Sequence, residues 1–301
     1  SASLVGSEMC IRDSCESGTC RYHTAPNGTK PHDYFHGPDC CTASGHRIIS
    51  LLPTFFYAEN GKDFYINQYL PSRYDGKDFA FEISGNYPES ESMVLTVLSS
   101  QNKNKILNLR IPSWCKAPEV SVNGESVSGI EAGKYLAITR KWEKGDKIGI
   151  TFPMEGKWIR REHHSKYTTY TLPRGEIMYR EEPTDKIPYA FIRGPLVYCL
   201  DMVWNKQLCN DDVNMEKDIR MDTNSEPKWI QKPDTEMLGP VYQTQASYMG
   251  RKVDVLLTPF ANIGQWFRPG EEKPYRNADA FTYAIWLYKC CLLYTSPSPR
   301  D

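Results

Sequence analysis

Leu107-Asn-Leu-Arg-Ile111 and, shortly after it, Val120-Ser-Val-Asn-Gly124 decide the fold class. In the first stretch apolar and polar residues alternate. That puts Leu107, Leu109 and Ile111 on one face of an extended chain and leaves the other face to solvent. In the second, Val120 and Val122 run into Asn123-Gly124, a pair whose tolerance of positive φ suits a two-residue turn between antiparallel strands. Working outward, strands are predicted at residues 64–69, 79–83 and 93–98 before this hairpin. Two more follow it at 135–140 and 148–152, joined through the turn Lys144-Gly145-Asp146. Strands at short, regular spacing with turn residues between them predict a β-sandwich over residues 59–154.

Beyond this region, residues 167–172, 189–192, 196–200, 253–257 and 281–287 read as strands, so a second β-sandwich is expected over residues 155–290. Between them, residues 205–237 are polar and poor in pattern, which predicts a long surface loop or an insertion. Upstream, residues 15–58 begin as a polar, Pro- and Gly-rich loop and become a helix-like segment. There Ile48, Leu51, Leu52, Phe55 and Phe56 recur at helical spacing, Ile49 adds to the apolar surface, Thr42 or Ser44 is placed to cap the start, and Pro53 should kink or end it. Such an apolar helix needs other helices to cover it, and the rest of this chain supplies none. Those neighbours are expected in an upstream region, which makes the chain the C-terminal piece of a larger protein.

Both ends read as something other than protein design. Leu4-Val-Gly-Ser-Glu-Met-Cys-Ile-Arg-Asp-Ser14 and Cys291-Leu-Leu-Tyr-Thr-Ser-Pro-Ser-Pro-Arg-Asp301 are what two complementary sequencing adapters encode. Residues 1–14 and 291–301 are therefore set aside from fold reasoning. Composition narrows the function classes. With 36 Lys and Arg against 37 Asp and Glu the chain is near neutral, and no basic block points to nucleic acid. No apolar run has the length of a membrane span. Two domains are expected at this length. Oligomeric state is left open.

The chemistry-bearing stretch is His36-Gly-Pro-Asp-Cys-Cys-Thr-Ala-Ser-Gly-His46. His23, His32, His36 and His46, four of the six histidines, lie near the pair Cys40–Cys41. Thiolate and imidazole are zinc ligands, and the start of a helix lowers a thiol's pKa through its unpaired N–H groups and positive dipole end. On spacing alone the pair fits several readings: idle thiols, one buried and one exposed, a strained vicinal disulfide, or a metal or nucleophile site. The remaining cysteines, among them Cys15, Cys20, Cys115, Cys199 and Cys209, show no CxxC spacing and suggest no disulfide framework or zinc ribbon. His163-His164 read as an exposed strand pair. Trp114, Trp142 and Trp266 read as packing residues first. Asn27-Gly-Thr29 is a glycosylation sequon whose use depends on the host.

Residues 36–45 with the apolar helix behind them resemble the Cys-Cys segment of the β-L-arabinofuranosidase group, glycoside hydrolase families 127 and 146. Leu109-Arg-Ile-Pro-Ser-Trp114 with residues 120–124, then residues 133–140, Trp142-Glu-Lys-Gly-Asp146 and Phe152-Pro-Met154, are similar to the middle domain of that group. Ala190-Phe-Ile-Arg-Gly-Pro-Leu-Val-Tyr198, Thr258-Pro-Phe-Ala261 and Tyr283-Ala-Ile-Trp-Leu287 continue the resemblance in order.

The resemblance implies a multidomain architecture, mainly β in this fragment: the last helix of an (α/α)6 barrel, followed by two β-sandwich domains. It also implies a retaining glycosidase with a cysteine nucleophile on a Zn2+ ion held by one Glu and three Cys. By position Cys40 is then the nucleophile and, with Cys41, a metal ligand, while the other ligands and the acid/base Glu are expected upstream. Glu16 and Cys20 do not match their spacing. The implied partner is a carbohydrate, an arabinose-containing glycan, met in a periplasmic or extracellular setting rather than in the cytoplasm, and the chain by itself is expected to be inactive. Two other readings compete. One is a non-catalytic carbohydrate-binding or barrel-bracing β-sandwich protein, and the other is a redox or metal-sensing module built on the cysteine pair.

Overall fold

The computed structural model describes residues 27–28, 47–48, 50–101, 104–161, 165–171, 177–183, 188–202, 204–208, 218–233, 237–262, 283–285 and 287–288. For 27–28, 165–171 and 177–183 only the backbone is described. The described chain is mainly β, as the alternation predicts, and it divides into two compact units. One takes residues 47–156 and Arg193–Leu196; the other takes 27–28, 157–192 and the residues from 197 onward.

The first unit is a sandwich of two sheets. Its four-stranded sheet runs in the order Tyr135–Thr139, Ile106–Arg110, Asp63–Ile66, Tyr57–Asn60. Its six-stranded sheet runs Ser72–Asp75, Phe79–Gly85, Ser92–Ser100, Lys147–Thr151, Glu119–Val122, Glu125–Ser126. Period-two alternation sends Phe64, Ile66, Leu107 and Leu109 inward from the first sheet, and Phe81, Ile83, Leu95, Ile148 and Ile150 from the second. Together they form one hydrophobic cluster, with Trp142 at 1% exposure inside it. The Trp142 indole N–H donates to the Lys105 carbonyl at 2.9 Å, so burial of the ring leaves no orphan donor.

The Asn123-Gly124 hairpin forms as predicted. Val122 pairs with Glu125, and φ is +52° at Asn123 and +89° at Gly124. That sign of φ suits the turn because its twist matches that of the flanking strands. Two features were not legible in the alternation. Asp63–Ile66 and Ile106–Arg110 pair in parallel, Phe64 opposite Leu107. The strands Tyr135–Thr139 and Lys147–Thr151, adjacent in sequence through the Lys144-Gly145-Asp146 turn, lie in different sheets. The connection between them crosses from one sheet to the other, and Trp142 plugs the core on the way.

The second unit is built on a ten-stranded sheet network. Its path runs Asn27–Gly28, Tyr283–Ala284, Leu196–Asp201, Arg251–Pro259, Val241–Tyr248, Ile219–Met221. Pro188–Arg193 joins it through Leu196–Asp201 and pairs as well with Gly156–Arg160 and Leu287–Tyr288. Ser165–Thr171 and Ile177–Pro183 form a separate two-stranded hairpin, and His163-His164 lie outside the described residues.

The expected loop at residues 205–237 is corrected here. Ile219–Met221 and Lys228–Ile230 both pair with Val241–Tyr248, and Ile219 and Met221 are buried. These strands carry too few apolar residues to show a period, and Val241–Tyr248 itself, Val-Tyr-Gln-Thr-Gln-Ala-Ser-Tyr, is mostly polar. Neighbouring strands, rather than apolar content, hold them extended. The single strand expected over residues 281–287 is two short pieces, Tyr283–Ala284 and Leu287–Tyr288, on different partners.

The helix-like segment is helical where it is described, and Pro53 marks the change in it, as expected. Arg47, Ile48, Ser50 and Leu51 are helical, and the chain tightens to a 3-10 turn over Leu52–Phe55, with Pro53 in its first turn. Pro53 lacks the N–H that a continuing α-helix would use. Thr42 and Ser44 lie outside the described residues. Leu51 and Phe55 are exposed at 47% and 61%, while Ile48, Leu52 and Phe56 are half-buried.

Candidate functional site

Cys40 and Cys41, with His23, His32, His36 and His46, lie outside the described residues, so their geometry is not part of the fold described above. Their flanks are placed. On the N-terminal side Asn27 pairs with Ala284 and Gly28 with Tyr283, adding a short strand to the sheet of the second unit. On the C-terminal side the helical turns from Arg47 to Phe55 are tied by two local bonds. Ser50 Oγ donates to the Arg47 carbonyl at 2.8 Å and Thr54 Oγ1 to that of Leu51 at 2.6 Å. Such bonds from a Ser or Thr hydroxyl back to a carbonyl of the preceding turn are a local side-chain tie.

The described cysteines are of the opposite kind from a nucleophile. Cys115 and Cys199 are fully buried and not in disulfides. Burial pushes the Cys115 thiol above its ordinary pKa, outweighing the N–H of Ala117 that favours the thiolate. A reactive cysteine needs an electropositive, partly open setting that stabilises the thiolate. Among the described residues no three His, Cys, Asp or Glu side chains are grouped to hold a metal ion.

Sequence motifs far apart in the chain do converge, around a structural junction. The turn between Pro188–Arg193 and Leu196–Asp201 carries Gly194 at φ +54°. A Cβ there would stand 2.7 Å from Met154 Sδ and 3.3 Å from the Trp114 ring, so only glycine lets the turn sit this close. Arg193 Nη2 donates to Glu91 Oε1 at 2.9 Å, and the Met154 N–H donates to the same oxygen at 3.0 Å. Trp114 in turn meets Phe152 edge-on at 6.2 Å. Trp114, Met154 and Arg193-Gly194 thus belong to a single packed knot. Glu91 holds that knot together, yet it lies outside every motif in the sequence. Its only mark was a carboxylate beside a predicted strand, which has no periodicity to betray it.

Two further charged groups are drawn inward at the edge of the sandwich. Lys105 is buried, its ammonium paired with Glu59 and lying 5.8 Å from the Phe64 ring centroid. Asp146 is buried in its turn. Burial alone raises its pKa, but the amide of Asn123, the N–H of Glu143 and the Arg140 guanidinium together bring it below the usual carboxylate value. Both groups brace turns and strand ends. Their printed partners are all structural, so they read as structure rather than chemistry.

This fold of two antiparallel-rich β units is shared with part of solved glycoside hydrolases. A GH127 β-arabinofuranosidase superposes with a TM-score of 0.64 at 21% identity, over 91% of this chain and 42% of its own. A GH127 β-L-arabinofuranosidase from Geobacillus stearothermophilus T6 does so with a TM-score of 0.55 at 22% identity, over 83% of this chain and 37% of its own.

Residues 63–154 match the model of the β-L-arabinofuranosidase GH127 middle domain. A curated relative, the non-reducing end β-L-arabinofuranosidase of Bifidobacterium longum subsp. longum, is 25% identical over 213 residues. The match takes in 62% of this chain and 29% of the relative, so the chain spans under a third of that protein's length. The resemblance to the β-L-arabinofuranosidase group therefore holds, and residues 63–154 are similar to its middle domain.

Proposed function

We propose that this chain is part of a retaining glycoside hydrolase that removes β-L-arabinofuranosyl residues from plant-type glycans. The observation that carries the reading is the middle-domain match over residues 63–154, lying downstream of the Cys40–Cys41 segment as it does in the group the sequence resembles. Cys40 is the proposed nucleophile. Its thiolate sulfur attacks the anomeric carbon, a C–S bond forms as the glycosidic C–O bond breaks, and a proton donor outside this chain's identified residues protonates the leaving oxygen. Water, giving its proton to the now deprotonated donor, then displaces the sulfur as thiolate at the same carbon, and the two inversions return the original configuration. This replaces the carboxylate pair of most retaining glycosidases with a thiolate and one acid/base.

A Zn2+ ion suits the donor set, since Cys40 and Cys41 are soft thiolate ligands. When bound, such an ion keeps the ligating thiols deprotonated at neutral pH. In this reading Cys41 anchors the site and Cys40 both ligates and reacts. The buried, pKa-raised Cys115 does not substitute for either. The chain carries two of the expected four protein ligands and no identified acid/base, so on its own it is proposed to be inactive.

The test uses the full-length protein that contains this chain. The expected results are stoichiometric zinc, release of β-configured L-arabinose from a β-L-arabinofuranoside, loss of metal on Cys41→Ser, and loss of turnover on Cys40→Ser. A zinc-free wild-type protein, or a Cys40→Ser variant with undiminished turnover, would overturn the reading. So would robust hydrolysis by the 301-residue chain alone, for the part of the proposal that calls it inactive.

A further inference from the structure

The outer face of the four-stranded sheet carries an ordered patch that the sandwich core does not explain. Alternation sends Phe64, Ile66, Leu109 and Leu136 inward, which leaves Tyr65, Asn108 and Tyr135 on the opposite face. Register aligns Tyr65 with Asn108 and Tyr135 with Arg110. The outer positions beside them, Ala58 opposite Tyr65 and Ala137 opposite Asn108, are short and exposed, so no side chain there walls off the rings.

The two rings stand at right angles. Their centroids are 5.4 Å apart with an interplanar angle of 87°, and Tyr135 is 47% exposed. An exposed aromatic ring ordinarily keeps its rotamer freedom, but this one is fixed. The Tyr135 hydroxyl donates to Asn67 Oδ1 at 2.6 Å. Asn67 is itself held by its side-chain amide on the Phe55 carbonyl at 3.3 Å and by its N–H on the Phe56 carbonyl at 2.9 Å. Asn108, only 7% exposed, donates its amide to Asp63 Oδ1 at 3.3 Å. The rings are thus preorganised, with the half-buried Asp63 and the exposed Arg110 on the same face, and preorganisation lowers the ordering cost of binding.

The chemistry of the patch selects the class of ligand. Aromatic faces take the C–H face of a sugar ring, while carboxylate and guanidinium groups take its hydroxyls. Asp63 and Arg110 offset each other, so neither an anion nor a cation is favoured, and no basic stripe is present for a nucleic acid backbone. We infer that this face binds a neutral carbohydrate chain, with Tyr65 and Tyr135 as its stacking corner. Only the choice of an arabinose-containing chain rests on the glycosidase reading above.

Affinity electrophoresis of the full chain through gels containing soluble arabinan, arabinoxylan or dextran tests it. The expected result is retardation by an arabinose-containing polymer. Tyr135→Ala should weaken it about three- to tenfold, as loss of one ring contact predicts. Tyr135→Phe, which keeps the ring and cuts only the bond to Asn67, should weaken it less. Ala137→Arg, at an exposed site outside the core, should block the platform and provides the readout if Tyr135→Ala fails to fold. The inference is overturned by wild-type mobility unchanged in all three gels, by folded variants retarded like wild type, or by a dimer that Tyr135→Ala dissolves. Binding with no preference for arabinose would leave this face standing and count against the arabinofuranosyl reading alone.

Discussion

The sandwich of the first unit and the sheet of the second are held by different means. In the first, two sheets close on a dry cluster in which aromatic rings meet edge to face, Phe64 with Phe81 at 5.4 Å and Tyr69 with Phe152 at 5.2 Å. Its buried polar groups are Lys105 just before a strand, Asn108 within Ile106–Arg110, Asp146 in a turn and Arg193 at the end of Pro188–Arg193. In the second, polar residues are buried in and beside the sheet itself: Asp201, Asn205, Thr244, Thr258 and Asn262, all at 4% exposure or less. Asn205 donates to the Asp201 and Leu256 carbonyls and accepts from the Leu256 N–H. Asn262 both accepts from the Leu238 N–H and donates to its carbonyl. Apolar area is non-directional and tolerates small shifts, whereas a buried amide demands its partners in place. The first unit is thus specified mainly by pattern, and the second by particular contacts.

The largest expected effect tests the apolar side of this contrast. Trp142→Ala should cost about 3–5 kcal/mol through the cavity it leaves, and it also orphans the Lys105 carbonyl. Hydrogen exchange should show lost protection in Ile106–Arg110 while Val241–Tyr248 keeps its own. Equal loss in both would break the comparison, because the two units would then unfold as one.

Asn205→Leu is the counterpart in the second unit. It keeps the branched shape of the side chain but strips the hydrogen bonds to Asp201 and Leu256, for an expected loss of about 2–3 kcal/mol read in urea unfolding. An unchanged midpoint would mean that these contacts are replaced by packing, as in the first unit.

The smallest effect concerns Asp146. Its carboxyl has a folded pKa below the ordinary value, so its contribution to stability is present above that ordinary value. The contribution fades as pH falls through the lowered folded pKa. Asp146→Asn should therefore destabilise by about 1–2 kcal/mol at neutral pH and converge with wild type in strong acid. A difference that persists unchanged to the acid end would assign the effect to lost hydrogen-bond geometry rather than to charge.

The legibility of the two units follows the same division. Alternation at 107–111 and the Asn-Gly turn at 123–124 are local signals, and the strands Ile106–Arg110, Glu119–Val122 and Lys147–Thr151 appear where they predict. Tyr57–Asn60 and Ser72–Asp75 escaped because they are short edge strands with little apolar content. Val241–Tyr248 and its partners escaped because polar residues there are satisfied by neighbours distant in sequence. Of the candidate site, the cysteine pair was visible from residue type and spacing. Glu91, which anchors Arg193 and Met154, was not, since nothing in its local sequence distinguishes it from a surface carboxylate. The Tyr65–Tyr135 corner was hidden for a related reason: its members lie 70 positions apart and meet only across strands.

By itself the sequence determined the β character of the chain, the place of its turns and the order of its motifs, because these depend on period, glycine conformation and residues close in the chain. Only the tertiary structure decided that neighbouring strands part into opposite sheets, that Asp63–Ile66 runs parallel to Ile106–Arg110, and that Trp114, Met154 and Gly194 share one knot. Those outcomes depend on which distant surfaces bury each other best, and that balance belongs to the folded whole rather than to any one stretch.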